Sequence, residues 1–297
     1  MDKEKRAERW VDRYWNSAEG LRLHYRDYPG PPELPPLLCI PGLTRNAADF
    51  APVADHVAGA WRVIAVSLRG RGLSARDPDP ANYGPEAYAA DLTKLLDQLG
   101  IADAVFVGTS LGGIVTMVMA MRDAERIAGA CINDVGPEIE QRGLDRISSY
   151  VGEPTTYSTW DGLARALMDN NHDAFPDWDL ARWAAFARCT ASERDGAIRF
   201  DYDAAIADGF NAAASAPQAD IWPYYCALAG RPVLLLRGEL TDLLEAEVAE
   251  RMAREIPDVE LVTVPRVGHA PALDEPESLA AIERLLERVL AREEDPS

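Results

Sequence analysis

Cysteine and histidine are both scarce in this chain, and neither gathers. Only four residues of 297 are cysteine and four are histidine. Cys39, Cys131, Cys189 and Cys226 form no Cys-x-x-Cys pair and no Cys/His cluster with metal-ligand spacing, so no metal site is expected. Cys39 and Cys131 fall inside apolar runs, where a thiol acts as a small buried hydrophobe. Positive charge is also in deficit: 30 Lys and Arg stand against 49 Asp and Glu, a formal charge of −19. Such a surface repels phosphate backbones and anionic headgroups, so neither nucleic acid nor membrane is an expected partner. The ordinary consequence of this charge is solubility; an anionic rim would also disfavour anionic substrates. No window approaches 18 consecutive apolar residues, which excludes a membrane-spanning helix from the reading. The charged start, Met1 to Arg9, is followed by no apolar stretch of the secretory kind. A cytoplasmic protein with reduced thiols is expected. There is no internal repeat or low-complexity tract, and no signal for an oligomeric state.

What is present is a strand–helix alternation. Residues 9–16 and 21–28 alternate apolar and polar side chains around Gly20 and read as an opening antiparallel hairpin. Short, nearly continuous apolar runs follow at 37–40, 63–66, 104–107, 127–135, 233–236 and 259–264. Continuous apolar strands belong to a parallel sheet covered on both faces. Helical spacing fills the gaps at 46–59, 85–99, 111–121, 243–254 and 276–292. The expected fold is α/β, a doubly wound and mostly parallel sheet. The pattern breaks from Pro137 to Gly230, where short helical stretches carry many aromatics and no convincing buried strand. The expected organisation is therefore a core of residues 1–136 and 231–297 with a helical cap, 137–230, inserted in it. The tail after Arg292 is expected to fray.

The sharpest chemical signal is Gly108-Thr109-Ser110-Leu111-Gly112-Gly113, placed between the strand 105–107 and the helix 111–121. A strand turning sharply into a helix crowds the turn, and glycines at 108 and 112 remove the side chains that would clash. Ser110 then projects at the strand's C-terminal edge, beside a helix N-terminus that favours a developing oxyanion. Its bland alternative is a helix N-cap. A serine hydroxyl needs a base. Of His24, His56, His172 and His269, only His269 follows a core strand at the same sheet edge as Ser110. The base needs an acid. Asp242, just past the strand 233–236, is the expected one. Asp134, ending the run 130–135, is the competitor, and Glu239 is a third carboxylate nearby.

The chain order Ser110, Asp242, His269, each after a different strand, resembles that of the α/β-hydrolases. The resemblance runs from the opening hairpin to the last helix. It includes Arg69-Gly70-Arg71-Gly72-Leu73-Ser74, similar to the family's D-x-R-G-x-G-x-S turn, and Asn133 to Pro137, after which capped members insert a lid. It implies an eight-stranded sheet. It also implies an oxyanion hole made by the backbone N–H groups of Leu43 and Leu111. Two departures are visible. Pro41-Gly42-Leu43 stands where members often carry His-Gly, and Ser67 stands where the turn usually has aspartate. A serine nucleophile differs from the aspartate of epoxide- and halide-processing relatives, and fits attack on a carbonyl through an acyl-enzyme. The implied activity is hydrolysis of a medium-sized, largely apolar ester or lactone beneath the aromatic cap, with most of the aromatics forming the cap's own core. Thr44 and Arg45 follow the oxyanion loop and are candidates to touch a polar substrate group. A C–C bond hydrolase of β-diketone-like compounds shares these motifs, and a hydrolase-fold receptor with little turnover is the alternative of another class. No metal or organic cofactor is implied.

Overall fold

In the computed structural model, residues 9–217 and 219–294 are described; the charged first eight residues and the last three lie outside them. In chain order the elements are β1 (Val11–Asn16), β2 (Arg22–Tyr28), β3 (Leu37–Ile40), α1 (Ala51–His56), β4 (Val63–Ser67), α2 (Pro85–Leu99), β5 (Ala104–Thr109), α3 (Leu111–Asp123) and β6 (Ile127–Asn133). Between β6 and the next core strand come α4 (Gln141–Ser148), β7 (Thr156–Tyr157), α5 (Trp160–Asn171), α6 (Leu180–Thr190), β8 (Ala191–Arg194), β9 (Ala197–Phe200), α7 (Ile206–Ser215) and α8 (Trp222–Cys226). The core resumes with β10 (Val233–Gly238), α9 (Ala246–Glu255), β11 (Val259–Val264) and α10 (Pro276–Glu294). The last helix thus runs two residues past Arg292, where the sequence pattern ends it.

Eight strands form one sheet in the order β1-β2-β4-β3-β5-β6-β10-β11. The hairpin β1–β2 is antiparallel and adds antiparallel to β4; every other pairing is parallel. Alternate residues of the continuous apolar strands go to opposite faces. Leu38, Ile40, Ile64, Val66, Phe106 and Leu235 join one cluster with Leu92, Leu95 and Leu96 of α2 and Val115 of α3. Leu37, Cys39, Val63, Ala65, Val105, Val107, Leu234 and Leu236 join another with Ile282, Leu285 and Leu286 of α10. This two-face burial is the reason these strands read as apolar runs rather than as alternating ones. Each fully buried Leu, Ile or Val contributes roughly 1.5–3 kcal/mol of transfer free energy.

Residues 137–230 are not purely helical, which corrects the sequence expectation. β7, β9 and β8 make a small antiparallel sheet. Its strands are two to four residues long and only partly buried, so they leave no apolar run to read. A signal was nonetheless available: Asp195-Gly196 joins β8 to β9 with φ of 53° and 72°, the Asp-Gly hairpin turn.

The inserted segment meets the core at the loops that follow the sheet's carboxyl ends. Asn46 Nδ2 donates to the Cys189 carbonyl at 2.9 Å, Gly72 N–H to the Asp201 carbonyl at 2.8 Å, and Gly268 N–H to the Ala174 carbonyl at 2.6 Å. Arg146 pairs with Asp242, and Arg182 with Asp274. Among the described residues no helix is long and apolar enough to cross a membrane.

Candidate active site

Ser110 occupies the turn between β5 and α3 with φ of 52° and ψ of −116°. A non-glycine residue at positive φ carries strain on the order of 1–3 kcal/mol, held here by its neighbours. Its N–H donates to the Asn133 carbonyl at 2.9 Å, and its own carbonyl accepts from Gly113 N–H at 2.8 Å. Its side chain caps no helical N–H, so the N-cap reading fails. The flanking glycines are required by space. A Cβ on Gly108 would stand 2.4 Å from the Gly112 carbonyl oxygen, and one on Gly112 would stand 2.1 Å from the Ile40 carbonyl oxygen.

His269, in the loop after β11, reaches this serine: its Nε2 lies 2.9 Å from Ser110 Oγ. Its Nδ1 lies 2.9 Å from Asp134 Oδ2. A carboxylate only accepts, so Nδ1 carries the proton and the Nε2 lone pair faces the serine hydroxyl. Asp134 is fully buried. It directly follows β6 at φ 58°, donates its N–H to the Leu236 carbonyl at 2.8 Å, and accepts the Gly238 N–H on Oδ1 at 3.0 Å. Both carboxylate oxygens are therefore engaged, one of them by the imidazole.

This corrects the expected partner of His269, which was Asp242. Asp242 lies four residues beyond the end of β10 and turns toward the inserted segment. There it accepts two hydrogen bonds from Arg146 of α4, at 2.5 and 2.8 Å. Burial opposes its charge, but Arg146's hydrogen bonds and charge outweigh burial. With a smaller contribution from the nearby His269, they hold the Asp242 carboxyl below the usual carboxylate range. Arg146 is 96 positions away in sequence, so no local pattern announced it. Glu239, the third carboxylate, accepts the Arg266 N–H at 2.8 Å. The remaining histidines sit elsewhere. His24 is buried between Ser67 and Asp12, His56 pairs with Glu283, and His172 is exposed.

One residue the sequence reading gave no role ties the site together. Asn133, fully buried at the end of β6, donates to Thr109 Oγ1 at 3.1 Å and to the Pro271 carbonyl at 2.9 Å. With its carbonyl on Ser110 N–H, it links the serine turn to the histidine loop.

Gly42 lies over the serine: a Cβ there would stand 3.7 Å from Ser110 Cβ. The N–H groups of Leu43 and Leu111 donate no hydrogen bond to another described residue. Arg45 is committed to Asp49, at 2.7 and 2.5 Å, and lies 4.0 Å over the Phe186 ring. Phe175, Trp178, Trp183 and Phe186 pack on one another in tilted and edge-on contacts; Phe175 and Trp183 are buried in the same cluster as Phe50, Val267 and Leu273, so these aromatics join the core rather than forming a separate one in the inserted segment. Among the described residues no group of three or more His, Cys, Asp or Glu gathers as a metal site would need. The arrangement joins a hydroxyl, an imidazole and a buried carboxylate in one hydrogen-bonded line, with free backbone donors beside it.

Comparison with known proteins agrees with this fold. The model of the alpha/beta hydrolase family matches residues 37–282. The 3-hydroxybutyrate-oligomer hydrolase of Cupriavidus necator is 31% identical over 274 residues, covering 89% of this chain and 92% of that protein. The 2-(acetamidomethylene)succinate hydrolase of Mesorhizobium japonicum is 28% identical over 236 residues, covering 79% and 81%. The crystal structure of an alpha/beta hydrolase from Novosphingobium aromaticivorans is similar with a TM-score of 0.90 and 52% identity, covering 94% of this chain and 99% of that one.

Proposed function

This chain belongs to the alpha/beta hydrolase family, and from that premise we propose that it is a serine hydrolase that cleaves a carboxylic ester through an acyl-enzyme on Ser110. The observation that carries the reading is His269 held between Ser110 Oγ and Asp134 Oδ2, each at 2.9 Å. In this reading His269 takes the serine proton as the oxygen attacks the carbonyl, then returns it to the leaving alcohol. Asp134 fixes the Nδ1–H tautomer and stabilises the imidazolium. The N–H groups of Leu43 and Leu111 stabilise the oxyanion of the tetrahedral intermediate. Water then repeats the sequence on the acyl-enzyme.

The substrate is a small to medium acyl compound that fits beneath the inserted segment. The name of the Cupriavidus necator relative, an oligomer hydrolase for 3-hydroxybutyrate, supports a hydroxyacid ester. The name of the Mesorhizobium relative supports an N-acyl substrate as the second reading. The test is direct. A fluorophosphonate probe should label the wild type and not Ser110→Ala, and a panel of hydroxyacid oligoesters, simple esters, lactones and N-acyl compounds should rank the esters first. Equal labelling of wild type and Ser110→Ala would end the serine mechanism, and a panel led by N-acyl compounds would end the ester assignment.

A further inference from the structure

Arg71 is a guanidinium sealed in the protein with no carboxylate to answer it. It is 1% exposed, and no Asp or Glu among the described residues lies within ion-pair distance of it. Burying an unpaired charge is costly, so its position calls for a compensating role. Its neighbour Arg69 is the opposite case. That side chain is equally buried but contacts three carboxylates, Asp77 at 2.6 Å, Asp91 at 2.6 Å and Glu19 at 3.2 Å.

The donors of Arg71 go to neutral acceptors. Nη1 donates to the Arg69 carbonyl at 2.7 Å and to Tyr88 Oη at 2.8 Å. Nε donates to the Leu43 carbonyl at 2.9 Å. Nη2 is buried and has no partner among the described residues. The ring of Tyr88 lies 4.9 Å from the guanidinium carbon and that of Tyr83 lies 5.7 Å away, so aromatic faces supply much of its surroundings.

The bond to Leu43 matters because of what Leu43 does next. The peptide plane that carries the Leu43 N–H also carries the Gly42 carbonyl, which accepts the Arg45 N–H at 3.2 Å. A planar trans peptide then aims the Leu43 N–H the opposite way. The following plane carries the Leu43 carbonyl, and Arg71 holds it. Two consecutive planes are thus pinned, and the N–H between them is left without a partner. Arg71 itself is held from the inserted segment. Its flanking residues bond there, Gly72 N–H to the Asp201 carbonyl and the Gly70 carbonyl to Asp203 N–H, both at 2.8 Å.

We propose that Arg71 is a positioning residue for the oxyanion hole: it fixes the loop that aims the Leu43 N–H and places an unneutralised positive charge behind that loop. The proposal rests on the acyl-enzyme reading, in which Leu43 N–H meets the oxyanion. A preorganised donor helps the transition state more than the ground state, so its loss falls on kcat.

The test compares Arg71→Ala, Arg71→Lys and Tyr88→Phe on one activated ester, with a boronic acid as a tetrahedral anionic mimic. Arg71→Ala should lower kcat by about 10- to 100-fold, the effect of a misplaced catalytic group, with KM changed by less than about threefold. Boronate affinity should fall in parallel, and added guanidinium ion should restore part of kcat. Arg71→Lys keeps the charge but loses the fork, so its loss should be intermediate. Tyr88→Phe removes one acceptor and should lower kcat in the same direction by a smaller factor. Wild-type kcat and boronate affinity in Arg71→Ala would overturn the proposal. So would an equal rise in KM with no guanidinium rescue. Should Arg71→Ala fail to fold, wild-type kcat in both Arg71→Lys and Tyr88→Phe would overturn it. The underlying reading is checked separately by fluorophosphonate labelling of the wild type: no label there refutes the acyl-enzyme, whatever Arg71 does.

Discussion

Two neighbouring strands of the sheet, β6 and β10, each send an aspartate past their carboxyl ends, and the two carboxylates have opposite fates. Asp134 follows β6 directly. Its backbone is bonded to β10 and its side chain to Gly238, so it has no freedom and no exposure. Asp242 follows β10 after a turn, remains partly exposed, and answers a guanidinium on the inserted segment. One carboxylate is built into the sheet and faces the imidazole; the other is spent on seating the segment above. A general base needs its orienting acid held to within fractions of an ångström, and the rigid strand end supplies that better than a loop does.

The largest expected effect distinguishes the two directly. Asp134→Asn should keep the fold and lose about 10⁴-fold in kcat, because an amide lets His269 take the wrong tautomer. Asp242→Asn should stay within about fivefold, the rate equivalent of 1 kcal/mol. Steady-state kinetics on one ester decides, and the reverse pattern would return the acid's role to Asp242.

A middle-sized effect probes how Asp134 is held. A Cβ on Gly238 would lie 2.6 Å from the carbonyl oxygens of Val267 and Gly268 in the histidine loop. Gly238→Ala should therefore push that loop away from Asp134. A kcat loss of about 10- to 100-fold and a stability loss of about 1–3 kcal/mol are expected from kinetics and urea melts. An unchanged kcat would mean the loop is not positioned by this contact.

The smallest effect concerns pH. The Asp242 carboxyl is lower in the folded than in the unfolded chain. Its pair with Arg146 therefore stabilises the fold above the ordinary carboxylate range, and the contribution disappears as pH falls through the folded value. Because the pair is partly exposed, the amount is under about 1 kcal/mol. The melting-temperature gap between wild type and Asp242→Asn should be widest near neutral pH and close in acid. A gap that widened in acid would contradict the pairing.

Much of the candidate site is legible in the sequence. Ser110 was marked by glycines whose absence of side chains the crowded turn demands, and His269 by its place after a core strand. The proposed oxyanion donors, the N–H groups of Leu43 and Leu111, come from a family resemblance; neither donates to another described residue. The small sheet of residues 137–230 carries no periodic signal because its strands are too short, although Asp195-Gly196 is there to read.

What the sequence determined by itself was therefore local: apolar runs that must be buried on both faces, and a strand–turn–helix that cannot accept side chains at 108 and 112. Those follow from periodicity and steric exclusion among near neighbours. Which aspartate meets His269 was decided only by the tertiary structure. Asp134 and Asp242 are equally good carboxylates at neighbouring strand ends, and the choice depends on partners far away in sequence. Arg146 lies 96 positions from Asp242, and His269 lies 135 positions from Asp134.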